Sequence, residues 1–272
     1  MLADVLPYLG CPHCGAALTL AGPAVRCATG HGFDVARQGY VNLVPGKVSG
    51  DSADMVAARA DFLGKGHYAP ITRAVVAAAG EVRGCVADLG AGTGHYLAAV
   101  LDAAPDAVGL ALEVAKPALR WAARAHPRIG AVGADAWGAL PVRGRAISVV
   151  LNVFAPRNPA ELNRIVAAGG RLVVVTPTED HLAALVAALD LLTVAPDKAQ
   201  QVTARLTPHL RPSTQDLVEF GIELSHQDVL SLVGMGPSAW HVGVATLRER
   251  VAALPEPVRI TASVLVTGYR RA

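Results

Sequence analysis

The sequence predicts an α/β fold: a mostly parallel sheet covered by helices on both faces, preceded by a small cysteine-rich ribbon. Three observations carry that reading. From residue 71 onward, short apolar runs rich in Val, Ala and Leu alternate with segments of helical period, as in strands buried on both faces and joined by crossover helices. The run "CVADLG" is followed at once by glycines at 90, 92 and 94 and then by a helical stretch. Three of the four cysteines fall within the first 27 residues, ahead of the alternating region. At 272 residues, 52% hydrophobic and 17% charged, the chain suits one large domain or one ordinary domain plus a small one, and is too apolar for disorder. No apolar run approaches the roughly 18–20 residues of a membrane span. The N-terminus lacks a basic start followed by an apolar core. A cytoplasmic protein without membrane association is expected. The net charge of +2 neither demands nor excludes nucleic acid.

The elements follow in order. Cys11-x2-Cys14 brings two thiolates to one ion across a turn that Pro12 and Gly15 suit. Cys27 comes after twelve intervening residues, and His31 after three more. Three sulfurs and one imidazole make a closed tetrahedral Zn2+ site. His13 competes for the imidazole position but lies inside the Cys11–Cys14 loop and would have to fold back, so His31 is preferred. A closed set leaves no position for water or substrate, which makes the metal structural rather than catalytic; the alternative is reduced thiols beside a surface histidine. Leu18–Leu20 and Val25–Arg26 read as a two-stranded ribbon. The metal module spans residues 1–46. Residues 47–70 read as a linker, with Asp51-Ser52 capping a short helix that Gly64-Lys65-Gly66 ends. Residues 71–272 form the α/β domain.

Within that domain, Ile71–Ala79 is helical, "CVADLG" a strand, Tyr96–Ala104 a helix, "AVGLALE" a strand and Lys116–Ala125 a helix. "IGAVGAD" and "AISVVLNVF" are strands, Pro159–Ala168 a helix, "GRLVVVTP" a strand and Asp180–Leu191 a helix. A less regular stretch follows, then a strand near Leu217–Leu224, a helix from His226 and a last strand at Val258–Tyr269. Cys85 reads as a buried small hydrophobe.

The loop "DLGAGTGHY" carries the chemistry. Glycines at every second position let backbone approach a ligand closely. The dinucleotide fingerprint needs glycine at 95, where His95 stands, and no Lys-Ser/Thr pair follows, which excludes a P-loop. Asp88 ends the first strand, Glu113 the second, and Asp135 follows the third. This set resembles the class I S-adenosylmethionine-dependent methyltransferases; an NAD-type fold is the alternative. The resemblance implies that Glu113 holds both ribose hydroxyls and that Asp135 meets the adenine amino group. The methionine carboxylate would then lie at the helix start near His95, with Asp88, Gly90, Gly92, Gly94 and Tyr96 around the cofactor. After the fourth strand, "LNVFAPRNP" places Asn152, Ala155, Pro156 and Arg157 at the mouth of the pocket, with Asn152 also toward the cofactor. Asn152 capping its own turn and Arg157 lying in solvent are the alternatives.

From end to end the chain resembles the bacterial 23S rRNA (guanine-N1)-methyltransferases, above all their actinobacterial tylosin-resistance type. The blocks that carry the resemblance are "CPHC…C…GHGFDVARQGYVNL", "DMVAARADFL…GHYAP", "DLGAGTGHY", "LNVFAPRNP", "VVTP…HL" and "MGPSAW". It implies a homodimer, S-adenosylmethionine as cofactor, a zinc module that helps grip rRNA, and methylation of a guanine in a hairpin loop of 23S rRNA domain II, with macrolide resistance as the outcome. Arg26, Arg37, Lys47, Arg59, Lys65 and Arg73 are candidate RNA contacts. Guanine N1 carries a proton at neutral pH, so transfer needs that proton removed or the O6 anion stabilised. His67 is a candidate base, with packing beside Tyr68 as its alternative. Trp240 is a candidate stacking platform or a core tryptophan. The rival functions are a natural-product methyltransferase, which would not need a ribbon, and a non-catalytic rRNA-shielding protein, which would not need the glycine loop.

Overall fold

The structure is a computed structural model that describes residues 1–46, 48–236 and 243–271. The chain begins with a short helix, α1 (Leu2–Val5), and a 3-10 turn (Leu6–Tyr8). The ribbon follows as β1 (Leu18–Ala21), β2 (Ala24–Cys27) and β3 (Gly32–Asp34), antiparallel in that order. It thus has three strands where the sequence pointed to two. The turn between Cys27 and His31, closed by the Gly30 N–H on the Cys27 carbonyl at 3.0 Å, lays Phe33 alongside Val25. The next elements are β4 (Val41–Asn42), α2 (Ala53–Gly64) and α3 (Ala69–Ala79). Ser52 caps α2, accepting from the Met55 N–H at 3.2 Å.

The domain then runs β5 (Gly84–Leu89), α4 (His95–Ala103), β6 (Ala107–Glu113), α5 (Lys116–Ala125), β7 (Ile129–Gly133), β8 (Ile147–Val153), α6 (Pro159–Ile165) and β9 (Val166–Pro177). After these come α7 (Ala183–Leu189), α8 (Lys198–Leu206), β10 (Leu210–Leu224), α9 (His226–Gly234), α10 (Val244–Ala252) and β11 (Val258–Arg271). The sheet order is β10-β11-β9-β8-β5-β6-β7-β4. Strands β4 to β9 pair in parallel, while β11 is antiparallel to both β9 and β10. β5 lies between β6 and β8, so the strand order reverses there, and the crevice at the carboxyl ends of β5 and β8 is where such sheets take ligands.

Several elements depart from the sequence reading. α6 stops at Ile165 and β9 starts at Val166, because Val166 is already extended (φ −64°, ψ 127°) and pairs with Ile147 of β8. α7 is confined to Ala183–Leu189, with Leu182 at φ 59° blocking helix on its N-terminal side. α8 and the first half of β10 lie in the stretch read as less regular, and α10 was not read as an element separate from the helix at His226.

The segment read as a linker carries a packed helix. Met55, Val56, Phe62 and Leu63 of α2 are buried, and its polar face is tied to α9 through Ser231 donating to Asp61 at 2.8 Å and Lys65 to Asp228 at 2.7 Å. The first residues also belong to the sheet. Leu2, Val5 and Leu6 share a core with Leu110 and Val132, and β4 pairs with β7 at the sheet edge. Core residues therefore come from both sides of residue 46. No described helix is long and apolar enough to cross a membrane.

Candidate active site and metal centre

The ligand atoms of Cys11, Cys14, Cys27 and His31 all lie within 4.8 Å of one another. Sγ of Cys14 and Cys27 are 3.8 Å apart, and His31 Nδ1 is 3.5 Å from Cys11 Sγ and 3.4 Å from Cys27 Sγ. Two sulfurs each about 2.3 Å from zinc in a tetrahedron are about 3.7 Å apart, so the donor set fits zinc. The Gly15 N–H on the Cys11 carbonyl at 2.7 Å closes the first turn. The Thr29 hydroxyl is 3.1 Å from Cys27 Sγ and, as the largest influence, holds that thiol down to about 6. His13 stays outside the set. Its ring lies 4.9 Å from that of His31 and is stacked on Phe33. The four residues would hold zinc with no open position, a structural role.

Cys11 is buried in the core that also holds Leu9, Leu43 and Val132, so the metal would staple the ribbon to the sheet. Purified chain is expected to carry about one zinc. Cys14→Ser is expected to weaken retention against a chelator by at least about 10–100-fold, the loss typical of an outer-shell partner alone. Metal analysis showing full occupancy in that variant would remove Cys14 from the ligand set.

At the crevice, a cavity of about 460 Å3 is lined by Asp88, Gly90, Gly92, His95, Tyr96, Glu113, Asp135, Ala155 and Pro156. Its volume falls within the range of small-molecule sites. Gly90 has φ 75°, and a Cβ there would lie 2.6 Å from that of Ala155, so glycine lets the loop after β8 close on the loop after β5. Gly94, at φ 81°, lies where a Cβ would stand 3.2 Å from Ala122 Cα. It thus permits the close α4–α5 packing that the third fingerprint glycine would otherwise allow. His95 opens α4; Thr72 Oγ1 is 3.0 Å from its Nε2, and burial lowers its pKa.

Glu113 accepts from the N–H groups of Gly92, Val114 and Ala115 at 2.9, 2.7 and 2.8 Å. Asp135 accepts from the Trp137 N–H at 3.0 Å. Burial and then the charge of Glu113 raise the Asp88 carboxyl to about 7. Three acids, Asp88, Glu113 and Asp135, and a glycine turn lining one cavity fit S-adenosylmethionine.

Asn152 and Arg157 are absent from the cavity wall. Fully buried Asn152 donates to the carbonyls of Leu89 at 3.3 Å and Pro156 at 2.9 Å and accepts from Arg157 Nε at 2.7 Å. Arg157 also donates to the Ala155 carbonyl at 3.1 Å. The pair braces the loop, the turn-capping alternative for Asn152, while Arg157 is held rather than solvated. Asn152→Ala is expected to cost about 2 kcal/mol of stability, since it leaves two carbonyls and a guanidinium short of partners. Denaturant titration checks it.

The loop presents Phe154, which has φ 52°, is 41% exposed and lines the cavity. A non-glycine residue in that region marks a position held by its surroundings. The sequence reading passed over Phe154, Tyr68 and Trp137, all on the cavity wall. The one available signal was an aromatic residue beside each of the motifs singled out.

His67 faces away from the cavity. Its ring packs 4.8 Å from Phe62, and its Nε2 is 3.6 Å from Asp228 Oδ1. The helix start at Ala69 turns Tyr68 inward instead. Among the candidate RNA contacts, Arg26, Arg37 and Arg73 are exposed. Arg59 is bound to Asp51 and to the Met235 carbonyl, and Lys65 to Asp61 and Asp228. Lys47 and Trp240 lie outside the described residues.

A family model described as RlmA, N-terminal, a zinc ribbon, matches residues 9–48. The chain is 50% identical to a protein of Micromonospora griseorubida assigned as a 23S rRNA (guanine-N1)-methyltransferase, over 99% of both chains. It is 48% identical to the 23S rRNA (guanine(748)-N1)-methyltransferase of Streptomyces fradiae, again over 99% of both. A solved structure from Bacillus halodurans C-125, described as a methyltransferase, superposes with a TM-score of 0.53 at 15% identity, covering 73% of this chain and 97% of its own. That last likeness is one of fold: the class I methyltransferase sheet.

Proposed function

This chain belongs to the 23S rRNA (guanine-N1)-methyltransferases, and from that premise we propose that it methylates N1 of a guanine in a hairpin loop of 23S rRNA domain II, conferring macrolide resistance of the tylosin type. The observation that carries the reading is the open crevice rimmed by exposed Phe154 beside the glycine loop. N1 lies on the Watson–Crick edge, so the base has to leave its stack and needs an aromatic surface to rest on. S-adenosylmethionine supplies an already electrophilic methyl group. The chain's task is therefore placement. Glu113 binds ribose, Asp135 meets the adenine edge, the start of α4 receives the methionine carboxylate, and Phe154, Ala155 and Pro156 face the base.

The zinc ribbon, with Arg26 and Arg37 exposed on it, grips the RNA. A homodimer acting in the cytoplasm completes the reading, and light scattering checks its mass. Purified chain with radiolabelled S-adenosylmethionine is expected to label a domain II hairpin at guanine N1. Label on a macrolide instead would favour the natural-product reading, and label on neither the shielding protein.

A further inference from the structure

We propose that Tyr68 donates a hydrogen bond to O6 of the target guanine, and that His181 fixes the direction of that donation. The inference rests on the guanine-N1 reading above.

Tyr68 stands in the cavity wall, its ring 6.3 Å from that of Phe154. Its hydroxyl is 3.3 Å from His181 Nε2, across 113 residues of sequence. The other nitrogen of His181 is committed: the backbone N–H of Ser263 donates to Nδ1 at 3.2 Å. A backbone amide only donates, so Nδ1 carries no proton and the neutral ring holds its hydrogen on Nε2. Nε2–H therefore donates to the phenolic oxygen. Ser263 is itself held, since the Thr178 N–H donates to its carbonyl at 3.1 Å and the Thr178 hydroxyl lies 2.8 Å from its own. The Tyr68 oxygen is thus occupied as an acceptor, and among the described residues its hydroxyl has no other hydrogen-bond partner. Its own hydrogen is left for the cavity.

The surroundings keep both groups in these states. Burial, with the charge of Lys198 acting the same way, holds His181 down to about 4. Burial pushes the Tyr68 phenol above its ordinary value. Tyr68 is thus a donor and not a base.

The chemistry needs such a donor. As N1 loses its proton to water, the negative charge spreads to O6, one carbon away. The N1–methyl bond forms while the sulfur–methyl bond breaks with its electron pair staying on sulfur, and Tyr68 keeps its proton throughout. A fixed donor aimed at the developing oxyanion lowers that barrier. It also reads the base, because guanine presents an acceptor at O6 where adenine presents an amino group.

The test is single-turnover methyl transfer to the hairpin RNA by the full chain and by Tyr68→Phe, His181→Gln and His181→Leu, with cofactor affinity measured by calorimetry. Tyr68→Phe is expected to slow transfer by about 100-fold. Its cofactor affinity should stay near the parent's, and its pH–rate rise should move to higher pH, because N1 must ionise unaided. His181→Gln, which still offers an N–H to Tyr68, is expected to retain more rate than His181→Leu. A Tyr68→Phe chain with the parent's rate and pH profile, or one whose rate loss is matched by lost cofactor affinity, overturns the donor role. Equal rates in the two His181 variants overturn the positioning role. If the parent chain itself leaves RNA unlabelled, the guanine-N1 reading falls and this proposal with it. That result is distinct from a neutral Tyr68→Phe.

Discussion

Glu113→Ala is expected to weaken S-adenosylmethionine binding by roughly 10²-fold, the equivalent of one lost charge-assisted hydrogen bond of about 3 kcal/mol. A carboxylate offers about four acceptor sites, and three are already taken by the N–H groups of Gly92, Val114 and Ala115. One remains for a ribose hydroxyl, and the second hydroxyl has to share a site with a backbone donor. Glu113 therefore shapes the glycine loop, and in the proposed reading it binds the ribose with the acceptor capacity left over. Glu113→Gln separates charge from size. Its amide turns a donor toward one side of that backbone cluster, so it too is expected to bind poorly. Calorimetry showing parental affinity in either variant would mean that the ribose is held elsewhere.

Asp88→Asn is expected to stabilise the ligand-free chain at pH 8 by as much as about 4 kcal/mol and to leave it unchanged near pH 4. The carboxyl is 2% exposed, and burial followed by the Glu113 charge raises it to about 7. An unfolded aspartate ionises near 3.9, so the folded chain holds this proton more tightly. The stability tied to it is full below about pH 4 and is lost as pH rises through about 7. An uncharged isostere escapes that loss. The same substitution should flatten the parent's gain in affinity for a cationic ligand between about pH 6 and 8, where binding and ionisation of Asp88 favour one another. Denaturant titrations at the two pH values check the first part. An equal difference at both would show that Asp88 is solvated in the fold.

Cys11, Cys14, Cys27 and His31 were legible as one site because a turn and a short hairpin set their separation. Local spacing is then nearly the whole geometry. Gly90, Gly92, Gly94, Glu113 and Asp135 were legible for a related reason: each sits at a strand end, and parallel pairing brings strand ends to one edge. His67 misled because a histidine beside a tyrosine shows no sign of which one the next helix turns inward.

The amino-acid sequence by itself determined the mostly parallel α/β sheet, the clustering of Cys11, Cys14, Cys27 and His31, and part of the cavity wall, since hydrophobic period, turn chemistry and ligand spacing act over a few residues. Tertiary structure alone decided the rest: β4 at the sheet edge, α2 packed over the crevice, Arg59 and Lys65 tied into ion pairs, Asn152 turned into a brace, and Tyr68 set against His181. Those contacts join residues far apart along the chain, chosen by packing and by the pairing of buried polar groups. Neither leaves a repeating pattern in the sequence.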